Sequence, residues 1–118
     1  MSFQRGDVAI ALFPHALGTG SKARPVLIVQ SDTYNAKMGN LIVAAITSNL
    51  KHANDPVSVV IDITTPEGKA SGLLQNSIVS CVNLATVDAS LVAKTIGHLS
   101  NALMQKVNAS LRVALALP

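Results

Sequence analysis

Residues 24–31, RPVLIVQS, set four branched aliphatic side chains in a row behind a proline. In an extended chain, successive side chains point to opposite faces. All four can leave water only if apolar material lies on both sides of the strand. The segment therefore demands a buried strand with a core against each face. Pro25 has no amide N–H, so it must sit at the strand's start, where no ladder donor is needed. Arg24 stands directly before it and Lys22 two residues earlier, at the mouth of the strand.

Shorter runs of the same kind surround this one. DVAIALFP (7–14) reads as a strand between Gly6 and Pro14, LIVAAITS (41–48) as a third and PVSVVIDI (56–63) as a fourth. NSIVSCVNLATVD (76–88) adds further strand, and SLVAKTIGHLS (90–100) an ambiguous turn ending in a short strand. HALGTGSKA (15–23) is a glycine-rich loop, SDTYNAKMGN (31–40) a turn or one short helical turn, and TTPEGKASG (64–72) another loop. The period then changes. Leu103, Val107, Leu111 and Leu115 recur every four residues, joined by Met104 and Ala114, which predicts an amphipathic helix with Ser100 as its N-cap. Short strands closed by one helix predict a mainly β, α+β fold, a small barrel or strongly bent sheet with the helix alongside. No repeat, low-complexity tract or linker divides the 118 residues, which read as one domain, 1–118.

Composition narrows the function classes. Hydrophobic residues at 49% against 13% charged argue for a packed core rather than disorder. Aromatics supply only 3%, so the core is aliphatic, and so apolar a surface on a small chain points to a second subunit covering part of it. A net charge of +3 suits a polyanionic partner, but no run of like charges exists, so folding must assemble any electrostatic site. The lone Cys81 excludes an internal disulfide and a zinc ribbon and fits a reducing, cytoplasmic setting. No signal segment opens the chain, and no apolar run approaches the ~18 residues of a membrane span.

Most candidate chemistry falls away. His15, His52 and His98 are far apart with no second ligand nearby, so no metal is expected. Cys81 lies in an apolar strand and reads as a buried small hydrophobe. The acids are scattered without a pair, and GTGSK (18–22) lacks the spacing and following helix of a phosphate-cradling loop. Three features remain: the loop with His15 and Lys22, Arg24 at the start of its strand, and Thr47-Ser48 at the end of the next. If strands 24–31 and 41–48 pair antiparallel, Arg24 and Thr47/Ser48 share one edge of the sheet. A guanidinium beside a hydroxyl is a phosphate site. Equally, these residues alone leave open that the charge and hydroxyls only solvate strand ends.

The pieces, taken in order, resemble a known family. RGDVAIALFPHALGTGSKARPVLIVQSDTYN resembles the opening of the MazF/PemK (Kid-like) toxin family of type II toxin–antitoxin systems, with its G-D-[IV] strand and glycine-containing loop leading into R-P-[AV]-[LV]-[IV]-[LV]. AAITSNL (44–50) resembles the family's third strand with its terminal T-[ST], and the segment from Gly72 to Leu117 resembles the remainder through the C-terminal helix. The resemblance implies an SH3-like barrel of short antiparallel strands with a C-terminal helix, usually a homodimer. It implies a toxin that cleaves single-stranded RNA (mRNA) without metal or cofactor, by 2′-OH transesterification, and a cognate antitoxin that blocks the RNA groove. By the same carry-over Arg24 and Thr47 are catalytic, and His15, Thr19, Lys22 and Ser48 bind RNA. This chain departs from the family pattern at Ala9, where many members carry Trp, at Thr19, where many carry Glu, and at Ser80, Val82 and Ala85, where charge is common. Those departures frame the alternatives: a non-catalytic toxin on the same fold that binds a protein target as gyrase inhibitors do, a catalytically weakened relative, or a non-toxic SH3-like adaptor.

Overall fold

The computed structural model describes residues 2–14 and 20–118. Its elements are β1 (Asp7–Pro14), β2 (Ser21–Ile28), α1 (Asp32–Lys37), β3 (Asn40–Thr47), β4 (Ser58–Ile61), α2 (Pro66–Ala70), β5 (Ser77–Asp88), a 3₁₀ turn (Ala89–Leu91), β6 (Val92–His98) and α3 (Asn101–Leu115). The six strands form one antiparallel sheet in the order β4-β5-β3-β2-β1-β6. Its edge strands β4 and β6 do not pair with each other, so the α+β fold is barrel-like rather than a closed barrel.

β2 lies between β3 and β1 and meets the demand of its sequence. Val26, Leu27 and Ile28 are wholly buried. Leu27 packs into one core with Val8, Ala44, Ile46 and the inner residues of α3, Leu103, Met104 and Val107. Val26 and Ile28 enter a second core with Phe3, Phe13, Val43 and Val87. Full burial of each such side chain stabilises the fold by about 1.5–3 kcal/mol, so the two cores hold β2 from both sides.

The start of β2 differs from the expectation. The strand begins at Ser21, which puts Arg24 and Pro25 inside it, opposite Ala11 and Ile10 of β1. The reason is that the two sides of β2 are unequal. The Gly6 N–H donates to the Ile28 carbonyl at 2.8 Å, and the Val29 N–H donates to the Ile42 carbonyl at 3.1 Å. Even-numbered residues of β2 thus turn their backbone groups to β1 and odd-numbered ones to β3. Pro25 points its missing donor toward β3, whose ladder with β2 begins only at Val26↔Ala45. The proline rule acts on one side of the strand, not on the whole strand.

β5 is also irregular. Ala45 pairs with Ser80 but Ala44 pairs with Leu84, so Cys81, Val82 and Asn83 form a bulge with no partner in β3. The Cys81 N–H instead donates to the Val57 carbonyl at 2.9 Å. The segment 64–72, expected as a loop, contains α2: Thr65 Oγ1 accepts the Gly68 N–H at 3.0 Å, and Pro66 opens the first turn. The end of α2 presses against β6 through two glycines. A Cβ on Gly72 (φ +75°) would lie 2.0 Å from the Ile96 carbonyl oxygen, and one on Gly97 would lie 2.4 Å from that of Ala70.

α3 is capped as expected, Ser100 Oγ accepting the Leu103 N–H at 3.2 Å. The same hydroxyl donates to the Glu67 carboxylate of α2. Leu103, Met104 and Val107 are buried, with Leu111 and Ala114 packed partly behind them. Leu115, last in the apolar series, is exposed.

Candidate active site

The site arises where β2 and β3 separate. Three pairs, Val26↔Ala45 through Ile28↔Val43, join the strands. Beyond them the first half of β2 stays with β1, while the end of β3 stays with β5 through Ile46↔Val79 and Thr47↔Ile78. The sheet is split at this point, with Arg24 on one lip and Thr47 on the other. Two hollows open there, of about 800 Å³ and about 630 Å³. Arg24 and Thr47 line both, and so form the boundary the hollows share.

Arg24 is half-buried, its Cζ 5.6 Å from the centroid of the Phe13 ring. The β1–β2 register explains this contact: Arg24 is opposite Ala11 and Phe13 is opposite Lys22, so ring and guanidinium are diagonal neighbours on one face. Phe13 is fixed in the second core and supplies a rigid surface for the cation. Arg24 Nε is buried and meets no hydrogen-bond acceptor among the described residues. An unmet buried donor costs about 1–3 kcal/mol, a penalty that an arriving anion removes.

Thr47 is half-buried on the opposite lip. Its Oγ1 accepts the Asn49 N–H at 3.1 Å, and Asn49 Oδ1 accepts the Lys51 N–H at 3.0 Å. The turn after β3 thereby uses a lone pair of the hydroxyl and leaves its proton to donate elsewhere. Cation and hydroxyl together match the oxygens of a phosphodiester.

The two hollows differ in charge. The larger is lined by Lys22, Ser48 and Lys94 as well as Arg24, with the segment 72–75 as a wall, and no carboxylate lines it. The smaller takes His52 and Asp55 from the β3–β4 connection and Ser80, Val82 and Asn83 from the β5 bulge. Asn83 Nδ2 donates to Ser80 Oγ at 2.9 Å, and Val82 is 57% exposed beside them.

Of the residues singled out in the sequence, the fold brings Arg24, Thr47, Lys22 and Ser48 together, although Arg24 sits within its strand rather than at the start. His15 and Thr19 lie outside the described residues. Ser80 and Val82 line the smaller hollow, whereas Ala85 lines neither. Sequence reasoning missed Lys94, His52, Asn49 and Asn83. Only the strand register could have revealed Lys94, because Ile10 pairs with both Pro25 and Lys94.

Other titratable groups stand apart from these hollows. Burial pushes the Cys81 thiol up to about 11, which keeps it protonated and unreactive at neutral pH. Hydrogen bonds from Thr64 hold Asp62 below the usual carboxylate range, and those from Ser90 do the same for Asp88. Both carboxylates organise turns.

Comparison with known proteins bears on this cleft. A family described as PemK-like, MazF-like toxin of type II toxin-antitoxin system matches residues 4–115. Endoribonuclease EndoA of Bacillus subtilis is 34% identical over 118 residues, spanning 99% of this chain and 97% of the relative. Endoribonuclease MazF6 of Mycobacterium tuberculosis is 35% identical over 119 residues, spanning 99% of this chain and 100% of that protein. A mycobacterial endoribonuclease solved in complex with its cognate antitoxin superposes with a TM-score of 0.76 at 25% identity, covering 99% of this chain and 98% of its own.

Proposed function

The chain belongs to the PemK-like, MazF-like toxin family of type II toxin–antitoxin systems, and on that premise we propose that it is an endoribonuclease that cuts single-stranded RNA at the lips of the split sheet. The observation that carries this reading is that Arg24 and Thr47 border both hollows, with a buried guanidinium nitrogen that meets no acceptor among the described residues.

The reaction follows from what these groups can do. The ribose 2′-oxygen attacks the adjacent phosphorus, the bond from phosphorus to the 5′-oxygen breaks, and the products are a 2′,3′-cyclic phosphate and a free 5′-OH. The proton leaving the 2′-OH is balanced by one gained at the 5′-oxygen through solvent. Negative charge grows on the non-bridging oxygens, and Arg24 neutralises it from a position fixed by Phe13. A guanidinium is a poor base, so its part is electrostatic. Thr47 donates its free hydroxyl proton to the phosphate or holds the 2′-oxygen. The substrate supplies its own nucleophile, which restricts cleavage to RNA. Lys22 and Ser48 contact the strand beside the cut, and His15 and Thr19 are further RNA-binding residues in this reading.

The family context adds a cognate antitoxin that covers the groove, a homodimeric assembly of this one domain, and a cytoplasmic site of action. No described helix is long and apolar enough to cross a membrane. The deciding experiment incubates the purified protein with long single-stranded RNA in EDTA. Discrete fragments carrying cyclic phosphate ends are expected, and none with Arg24→Ala. Equal cleavage by that variant removes the role given to Arg24. Failure of both folded proteins to cleave turns the reading toward a toxin that binds a protein target.

A further inference from the structure

The difference in charge between the two hollows has a consequence for how a strand lies across the cleft, and Lys94 decides it. Lys94 is on β6, two strands away from β2, yet it lines the larger hollow with Lys22 and Arg24. Two features of β6 bring it there. Its register with β1 shifts between Val8 and Ala9 and again between Ile10 and Ala11, so irregularities stand on both sides of the Thr95–Lys94 pairs and bend the strand around β1. Gly97 and Gly72 then bring β6 against the end of α2, which places segment 72–75 as the facing wall. In cross-strand order Lys94, Ile10 and Pro25 form one row, while Lys22 and Arg24 occupy the other face of β2. The split beside Pro25 lets both faces open into one hollow.

Among the described residues, three cations and no carboxylate line the larger hollow, against Arg24, His52 and Asp55 around the smaller. We propose that Lys94, with Lys22, neutralises the phosphate that flanks the scissile phosphate on one side only, so that RNA crosses the Arg24–Thr47 boundary with its charged backbone held in the larger hollow. Lys94 is a positioning residue in this scheme: it acts on the strand next to the cut and not on the reacting atoms. The inference rests on the proposed RNA cleavage, and the test separates the two.

The first measurement is the salt dependence of binding to a short mixed-sequence 2′-O-methyl RNA, which lacks the attacking hydroxyl and stays intact. Each phosphate contact on a single strand contributes about 0.7 to the slope of log affinity against log salt. Lys94→Gln and Lys22→Gln should each lower the slope, and the double variant should lower it by about that amount, whereas Lys106→Gln, on the exposed side of α3, should leave it unchanged. The second measurement places a neutral methylphosphonate on either flank of the mapped cut. One flank should weaken binding to the parent protein, and that penalty should disappear in Lys94→Gln.

An unchanged slope in Lys94→Gln overturns the proposal, as does an equal fall in Lys106→Gln, which would make the effect one of net charge. Equal methylphosphonate penalties on both flanks also overturn it, because the asymmetry would be gone. If the parent protein cleaves and Lys94→Gln keeps its slope, only this inference fails. If the parent protein does not cleave but the slope falls, cleavage fails and the larger hollow stands as an RNA-backbone site. Absence of RNA binding by the parent protein defeats both.

Discussion

The two halves of β2 share one backbone and do opposite work. Residues 26–28 have β3 partners and no exposure, Val26 and Leu27 also pair with β1 while Gly6 binds the Ile28 carbonyl, and their side chains tie two cores together. Residues 21–25 keep only the β1 ladder, and there Lys22 and Arg24 reach open space. What separates the halves is one missing strand pairing. The paired half can hold only apolar side chains; the half that loses a neighbour can keep a charge partly buried and still accessible. Rigidity from the first is what lets the second hold a guanidinium in place.

The sharpest way to break this comparison is to damage each half in turn. Arg24→Ala should lower kcat/KM for RNA cleavage by about 10²–10³ or more while leaving the thermal midpoint nearly unchanged. Leu27→Ala should do the reverse, costing about 2–5 kcal/mol of stability in urea titration with normal cleavage per folded molecule. If Arg24→Ala unfolds the protein, the division between the halves is wrong. Gly97→Ala should come next in size. Its Cβ would meet the Ala70 carbonyl oxygen at 2.4 Å, so the backbone must shift. Overpacking of this kind costs about 1–3 kcal/mol, and RNA binding should weaken as the wall of the larger hollow moves.

Pro25→Val sharpens the comparison further. It restores an N–H directed at the gap, and the expected outcome is an added pair with Ile46 that narrows the cleft and slows cleavage several-fold. Hydrogen exchange at residue 25 is the readout: a protected amide means that the proline keeps the strands apart, and a fast-exchanging one means that another force does so. The smallest effect concerns Cys81, in the core behind the site. Below about pH 9 the thiol is protonated whether the chain is folded or unfolded. Between the ordinary value of 9.0 and the folded value of about 11 the unfolded chain ionises first, so stability should fall as pH rises and then level off. Cys81→Ala should remove that decline from the pH profile of unfolding.

Local signals were legible wherever one segment carried its own instruction. Gly6 and Pro14 bound β1, the four-residue period and Ser100 define α3, and the apolar run at 26–28 requires the two-sided burial that β2 shows, whereas Val29, past the strand's end, is only partly buried. Two misreadings have physical causes. Placing Pro25 at the strand's start treats the strand as needing donors on both sides, although its donors alternate and only one side lacks a partner. The stretch 64–72 carries a Thr cap and a Pro in the first turn, but its two glycines favour a loop, and only the fold shows why they are there: Gly68 packs against the backbone of Asp62 and Gly72 against Ile96 of β6. The site was half legible. Arg24 and Thr47 could be linked by supposing that two neighbouring strands pair. Lys94 depends on a pairing between β1 and β6, more than eighty residues apart, and on bulges with no distinct sequence mark.

A split sheet leaves raw edges, and raw edges recruit other chains into amyloid-like addition. Along the opening, β2 offers a proline with no donor, and on its flanks Lys22 and Arg24, whose charges repel an incoming copy. Proline and cationic side chains are the means by which natural sheets discourage such association. The arrangement proposed to admit RNA is therefore also a safeguard for solubility. Replacing Lys22, Arg24 and Pro25 together with neutral β-formers should turn the mouth of the cleft into a nucleus for aggregation.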